Sequence, residues 1–214
     1  MNADTLNKTH LRAIQYWFED GIVEIAVGVL FLLLAGYFYV DATQPDSLLA
    51  NLLGGLFVLL LVSGWYLVGW IIKLLKERLT YPRTGYVAFR RDKNSQKPVR
   101  LALALSVGAL MAAMFATLAL NPPLGLNFMP LGSGLVMALV FGLIGYRTAL
   151  PRFYLLAAFG LVLGAGLGLS QIGNGLGMTA IYALMALALI GTGLVILSRY
   201  LRQNPAPAEA SDGQ

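Results

Sequence analysis

Apolar positions along this chain gather into six runs, covering residues 21–40, 48–72, 101–120, 131–146, 153–170 and 178–198. Most are close to the ~20 residues that a helix needs to cross a hydrocarbon core of roughly 30 Å. The pattern predicts an all-α polytopic membrane protein with six transmembrane helices, spans 1 to 6. The second run is longer than needed, which predicts a tilted span or one that extends beyond the bilayer.

Polar positions lie between the runs, and their charge orients them. Threaded alternately, the six spans leave all fifteen Lys and Arg residues in one compartment. Loops rich in Lys and Arg stay in the cytoplasm, so both termini are expected inside, an N-in/C-in topology. Asp41 and Asp46, in the turn between spans 1 and 2, are the only acidic residues expected outside. Trp65, Tyr66 and Trp70 fall near the inner end of span 2, where an aromatic belt belongs.

The organisation that follows is an amphipathic N-terminal segment, 1–20, and a transmembrane hairpin of spans 1 and 2, 21–72. A basic cytoplasmic loop, 73–100, leads to a four-helix transmembrane bundle of spans 3 to 6, 101–198. A low-complexity tail, 199–214, is expected to be disordered. The N-terminal segment carries Leu11, Ile14 and Phe18 on one helical face, which suits either an interfacial helix or a plain extension of span 1. No small-x-small cleavage site follows span 1, so that span is expected to be retained.

Composition narrows the chemistry. A chain that is 58% hydrophobic and 12% charged departs from soluble domains, which run nearer half apolar and a quarter charged. With no cysteine and one histidine, His10, disulfides, thiolate chemistry and a His- or Cys-built metal site within one chain are excluded. No paired-carboxylate site, nucleophile–base arrangement or phosphate-binding glycine loop stands out, so no catalytic, cofactor-binding or metal-binding residues are assigned. The protein is read as no enzyme, with no cofactor.

Three constellations remain. Small residues recur at four-residue spacing in Ala104, Gly108, Ala112 and Ala116, in Gly134, Ala138 and Gly142, and in Gly160, Gly164 and Gly168. Lipid offers no hydrophobic drive between helices, so association rests on close backbone approach, and these stripes predict internal packing of the C-terminal bundle. The second lies in the loop. Nine of the fifteen basic residues fall there, and Tyr81, Arg83, Tyr86, Arg90 and Arg91 interleave rings with guanidinium groups. Such a surface suits anionic lipid headgroups or a partner; nucleic acid is not expected beside a membrane. Pro82 biases Tyr81 away from helical geometry and predicts that span 2 ends there. The third is the acidic cluster Glu19, Asp20 and Glu24, where Glu24 lies about one turn inside span 1. An ionisable group in a span is a functional candidate by default, but the preferred reading is structural pairing with Arg83 or Arg147 on the inner face. Proton coupling is the weaker alternative.

The acidic approach Tyr16-Trp17-Phe18-Glu19-Asp20-Gly21 and the loop segment Leu79-Thr80-Tyr81-Pro82-Arg83-Thr84-Gly85-Tyr86-Val87 together resemble a group of uncharacterised bacterial multi-spanning membrane proteins. The resemblance covers the first half of the chain, implies a bacterial cytoplasmic (inner) membrane location and supplies no activity. In size and span count the chain is also similar to the substrate-binding subunits of energy-coupling-factor vitamin transporters. The functional expectation is a non-enzymatic accessory or scaffold subunit acting through lipid or protein contacts, with a homo-oligomer or another membrane protein as partner. A small transporter or substrate-capture subunit is the alternative.

Overall fold

Each apolar run that the structure describes is helical. The structure is a computed structural model that describes residues 15, 17–84, 127–170 and 172–205. The expected N-terminal interfacial segment up to residue 14, the loop from residue 85 with Tyr86, Arg90 and Arg91, span 3 with its stripe, and the tail from residue 206 lie outside the described residues. Among those residues there is no strand. The elements are α1 (Ile22–Thr43), α2 (Leu48–Gly55), α3 (Phe57–Leu75), a π-helical turn (Lys76–Thr80), α4 (Tyr81–Thr84), α5 (Phe128–Thr148), α6 (Pro151–Leu169) and α7 (Asn174–Gln203). Four of them, α1, α5, α6 and α7, are long and apolar enough to cross a membrane.

The helix ends follow local chemistry. Ser47 caps α2, its hydroxyl accepting from Ala50 N at 3.0 Å. Pro151 occupies the first turn of α6, where its missing N–H has no helical partner to lose. Ala149 turns the chain from α5 into α6 in the left-handed region, φ 53°.

Three boundaries differ from expectation. The second apolar run is interrupted at Leu56, just after Gly54-Gly55, where two residues of low helix propensity adjoin. At its other end the helix does not stop at Tyr81. The Tyr81 N–H bonds back five residues to Lys76 O, and the wider π turn carries the chain past Pro82, which offers no N–H of its own, to Thr84. The last helix also runs beyond Ser198 to Gln203, into what the sequence suggested was tail.

The expected division into an N-terminal hairpin and a separate bundle needs correction. The principal partner of α1 is α7, and that of α5 is α6; α3 touches α1 more lightly. Small residues explain the first pairing. Gly21, which precedes α1, and Gly28, Ala35 and Ala42 along it recur every seven residues, a period that keeps one seam facing its partner in a left-handed crossing. A Cβ on Gly28 would lie 2.6 Å from Ile190 Cγ1, and one on Gly193 would lie 2.8 Å from Gly21 O. At the far end a Cβ on Gly175 would meet that of Ala42 at 2.8 Å. The two antiparallel helices are therefore in close contact along the length of α1.

Between the two helix pairs sits a filled core of Met137, Phe141, Phe153, Leu156, Met178, Ile181, Met185 and Leu189. Tyr182 closes it toward α1 with an edge-on contact to Phe31 at 5.3 Å and a stacked one to Phe38 at 5.5 Å. A second cluster, Ile22, Ala26, Val68, Ile72 and Leu197, joins α1, α3 and α7.

Candidate functional site: an ionic knot at the basic end

The chain turns sharply into α1 at Gly21, whose φ of 71° a side-chain-bearing residue rarely adopts. That turn folds Trp17–Asp20 back over the helix ends. The Asp20 carboxylate then performs two tasks. Its Oδ1 accepts from Ile22 N at 3.2 Å, satisfying one free amide of α1. Its Oδ2 accepts from Lys76 Nζ at 2.8 Å and from Thr80 Oγ1 at 3.1 Å. Lys76 also donates to Trp17 O at 3.0 Å and lies 4.6 Å from the centre of the Trp17 ring. Asp20 and Lys76 are 1% and 3% exposed, so this is a buried pair and not a surface one.

Four residues on, in the first turn of α1, the Glu24 Oε1 lies 2.8 Å from Arg152 Nη2. The Arg152 guanidinium donates in addition to Phe18 O and rests over the Phe153 ring at 5.2 Å. Gln15 Nε2 donates to Thr148 O at 2.9 Å, and the buried Thr148 hydroxyl returns to Ile144 O at 2.7 Å. Arg83 Nη1 donates to Leu201 O at 3.3 Å and Asn204 O at 2.9 Å, closing the carboxyl end of α7. Gln15 and residues 17–20 are thus bonded to the π turn, to the α5–α6 corner and to the head of α6.

Both expected partners of the acidic cluster are replaced. Asp20 pairs with Lys76 and Glu24 with Arg152, while Arg83 binds the α7 carbonyls and Arg147 is exposed. Glu19 is exposed and outside the knot. Lys76 and Thr80 were missed because they read as the start of a solvated basic loop; their four-residue spacing on the unrecognised helical turn was the signal. Arg152 directly follows Pro151, which places it at the start of α6 and within reach of α1.

Among the packing candidates, Gly134, Gly160, Gly164 and Gly168 meet the facing helix. A Cβ on Gly134 would lie 2.5 Å from Gly164 Cα and 2.6 Å from Gly160 O, one on Gly160 3.2 Å from Met137 Cβ, and one on Gly168 3.0 Å from Leu131 Cβ. Gly142 faces open space. Tyr81 is half-buried in α4. Trp65, Tyr66 and Trp70 point outward from α3, at 76%, 74% and 60% exposure.

These contacts also fix the two ends of the assembly. The eight described basic residues, Lys73, Lys76, Arg78, Arg83, Arg147, Arg152, Arg199 and Arg202, lie at the end that holds the knot. Asp41 and Asp46 lie at the other, with Asn127, whose side chain donates to Leu167 O and Ser170 O, and with Asn174. Among the described residues no group of three His, Cys, Asp or Glu side chains converges as a metal site would require. Comparison with protein-family models, with curated proteins and with solved structures gives no match.

Proposed function

We propose that this chain is a six-span protein of the bacterial inner membrane with both termini cytoplasmic, and a non-enzymatic accessory or scaffold subunit working through lipid and protein contacts. The observation that carries the reading is how the buried charges are used. Asp20 and Glu24 each face one base, and the core beyond them is filled with Met, Phe, Leu and Ile side chains. A transporter would direct such groups into a shared polar cavity near the midplane. Lipid or a partner subunit meets the outward aromatic face of α3 instead. The anionic-lipid contact assigned to the basic loop stays part of the proposal.

The topology is supported by the segregation of charge between the two ends. It is supported further by Thr84 lying at the basic end and Asn127 at the other, which one more span between them accounts for. Single cysteines at Asp46 and Asn94, treated in intact cells with an impermeant thiol reagent, should label at Asp46 only. Labelling at Asn94 alone inverts the topology.

The scaffold reading is tested by photocrosslinking in the native membrane. A benzophenone amino acid at Tyr66 or Trp70 should give a discrete protein adduct. The same probe at Leu187, an exposed position on α7, should give lipid adducts only. Lipid adducts alone at all three positions overturn the scaffold reading.

A further inference from the structure

At the basic end, Glu19 and the last turns of α7 frame a hollow of about 240 Å³ lined by Ile196, Arg199, Tyr200, Gln203 and Asn204. It lies below the ~300–1,000 Å³ of sites for drug-sized ligands, so it suits a small polar group. Its depth in the bilayer follows from the length of α7. Thirty residues at 1.5 Å each make a helix of about 45 Å, against a hydrocarbon core of roughly 30 Å. With the apolar part of α7 in that core, Arg199 and Gln203 stand in the headgroup layer. Glu19, three residues before the start of α1, is at the same level.

The charges at this hollow are distinctive. Asp20 is ion-paired with Lys76 and Glu24 with Arg152 within the knot, and Arg83 is bound to the α7 carbonyls. Glu19 and Arg199 face the hollow with no hydrogen-bond or ion-pair partner among the described residues. One unspent carboxylate and one unspent guanidinium on a single small cavity match a ligand carrying both an ammonium and a phosphate. Gln203 and Asn204 supply amide oxygens that accept from N–H groups. Ile196, one turn closer to the membrane, meets the glycerol and upper acyl chain.

We infer that this hollow is a binding site for a phosphatidylethanolamine-type lipid, with Glu19 taking the primary ammonium and Arg199 the phosphate. The inference rests on the membrane reading above and names a lipid class that reading leaves open. A choline headgroup satisfies it poorly, since three methyl groups replace every N–H donor to Glu19. A glycerol headgroup leaves Glu19 unpaired beside a net anionic lipid.

The test is native mass spectrometry of the full chain released from micelles holding equimolar dioleoyl phosphatidylethanolamine, its N,N-dimethyl derivative and dioleoyl phosphatidylcholine. The expected order of retention is primary amine over dimethyl over choline. The first should exceed the last by about tenfold, the ratio of one charge-assisted hydrogen bond. Glu19→Gln should bring that ratio near one, and Arg199→Gln should reduce retention of all three. Equal retention of the three lipids by the unaltered protein overturns the site, whether or not the variants fold. That outcome leaves the membrane topology standing, because cysteine labelling reads it separately. Soluble glycerophosphoethanolamine competing as well as the lipid overturns the lipid as the source of the headgroup.

Discussion

Gly134→Val should destabilise the α5–α6 pair by about 3 kcal/mol, at the upper end of what overpacking costs. The reason is what the added carbon meets. Its nearest neighbours are Gly164 Cα at 2.5 Å and Gly160 O at 2.6 Å, both main-chain atoms of a helix. A flexible side chain could swing away; a backbone cannot, so the helices must separate along the whole contact. In lipid that separation forfeits most of the association energy, since close packing supplies it. Gly142→Val is the matched control on the same helix, because a Cβ there meets nothing within 4 Å. It should change stability by no more than about 0.5 kcal/mol, as substitutions away from tight contacts do. Reversible unfolding in mixed micelles distinguishes the two. Equal effects would show that valine itself, and not the contact, is responsible.

The contrast between Gly134 and Gly142 shows where the sequence was legible and where it was not. Four-residue spacing marks a helix face but not which faces meet. It pointed to the α5–α6 seam at Gly134, Gly160, Gly164 and Gly168, and equally to Gly142, which is open. The α1–α7 seam has a seven-residue period, Gly21, Gly28, Ala35 and Ala42, and Leu and aromatic residues between them made α1 look like one half of a hairpin. Pairing between the first and last helices is a long-range choice, and local periodicity carries no record of it. The four long apolar helices α1, α5, α6 and α7 were legible because apolar length alone decides such helices in a membrane. The π turn was not, since Pro82 is a sound helix-stop signal unless the hydrogen-bond ladder shifts by one residue upstream.

The ionic knot was half legible for the same reason. Glu19, Asp20 and Glu24 stood out as acids at the start of a span, but their partners depend on how the chain packs. Once Lys76 and Thr80 sit on a continuing helix they share a face toward Asp20, and Arg152 faces Glu24 only because α6 begins beside α1. Arg83, the nearest basic residue by motif, is drawn instead to the carbonyls of α7.

Lys76→Met should lower stability by about 3–5 kcal/mol, the usual consequence of removing one partner from a buried pair. Methionine keeps much of the lysine stem's volume and removes the charge. Asp20, 1% exposed, then keeps only the Thr80 hydroxyl and the Ile22 amide, which stabilise a carboxylate far less than an ammonium at 2.8 Å. The loss should be largely repaired by adding Asp20→Asn. The amide oxygen still accepts from Ile22 N and Thr80, and no uncompensated charge remains in the interior. Lys73→Met gives the surface comparison. Lys73 is 73% exposed in its side chain and stands 3.9 Å from Glu77, so its removal should cost no more than about 0.5 kcal/mol. If the double variant proves as unstable as Lys76→Met alone, the stabilisation lies in the lysine's contacts with Trp17 and not in the pairing. The knot would then anchor residues 17–20 through the Trp17 ring and carbonyl, with Asp20 acting chiefly as the cap of α1.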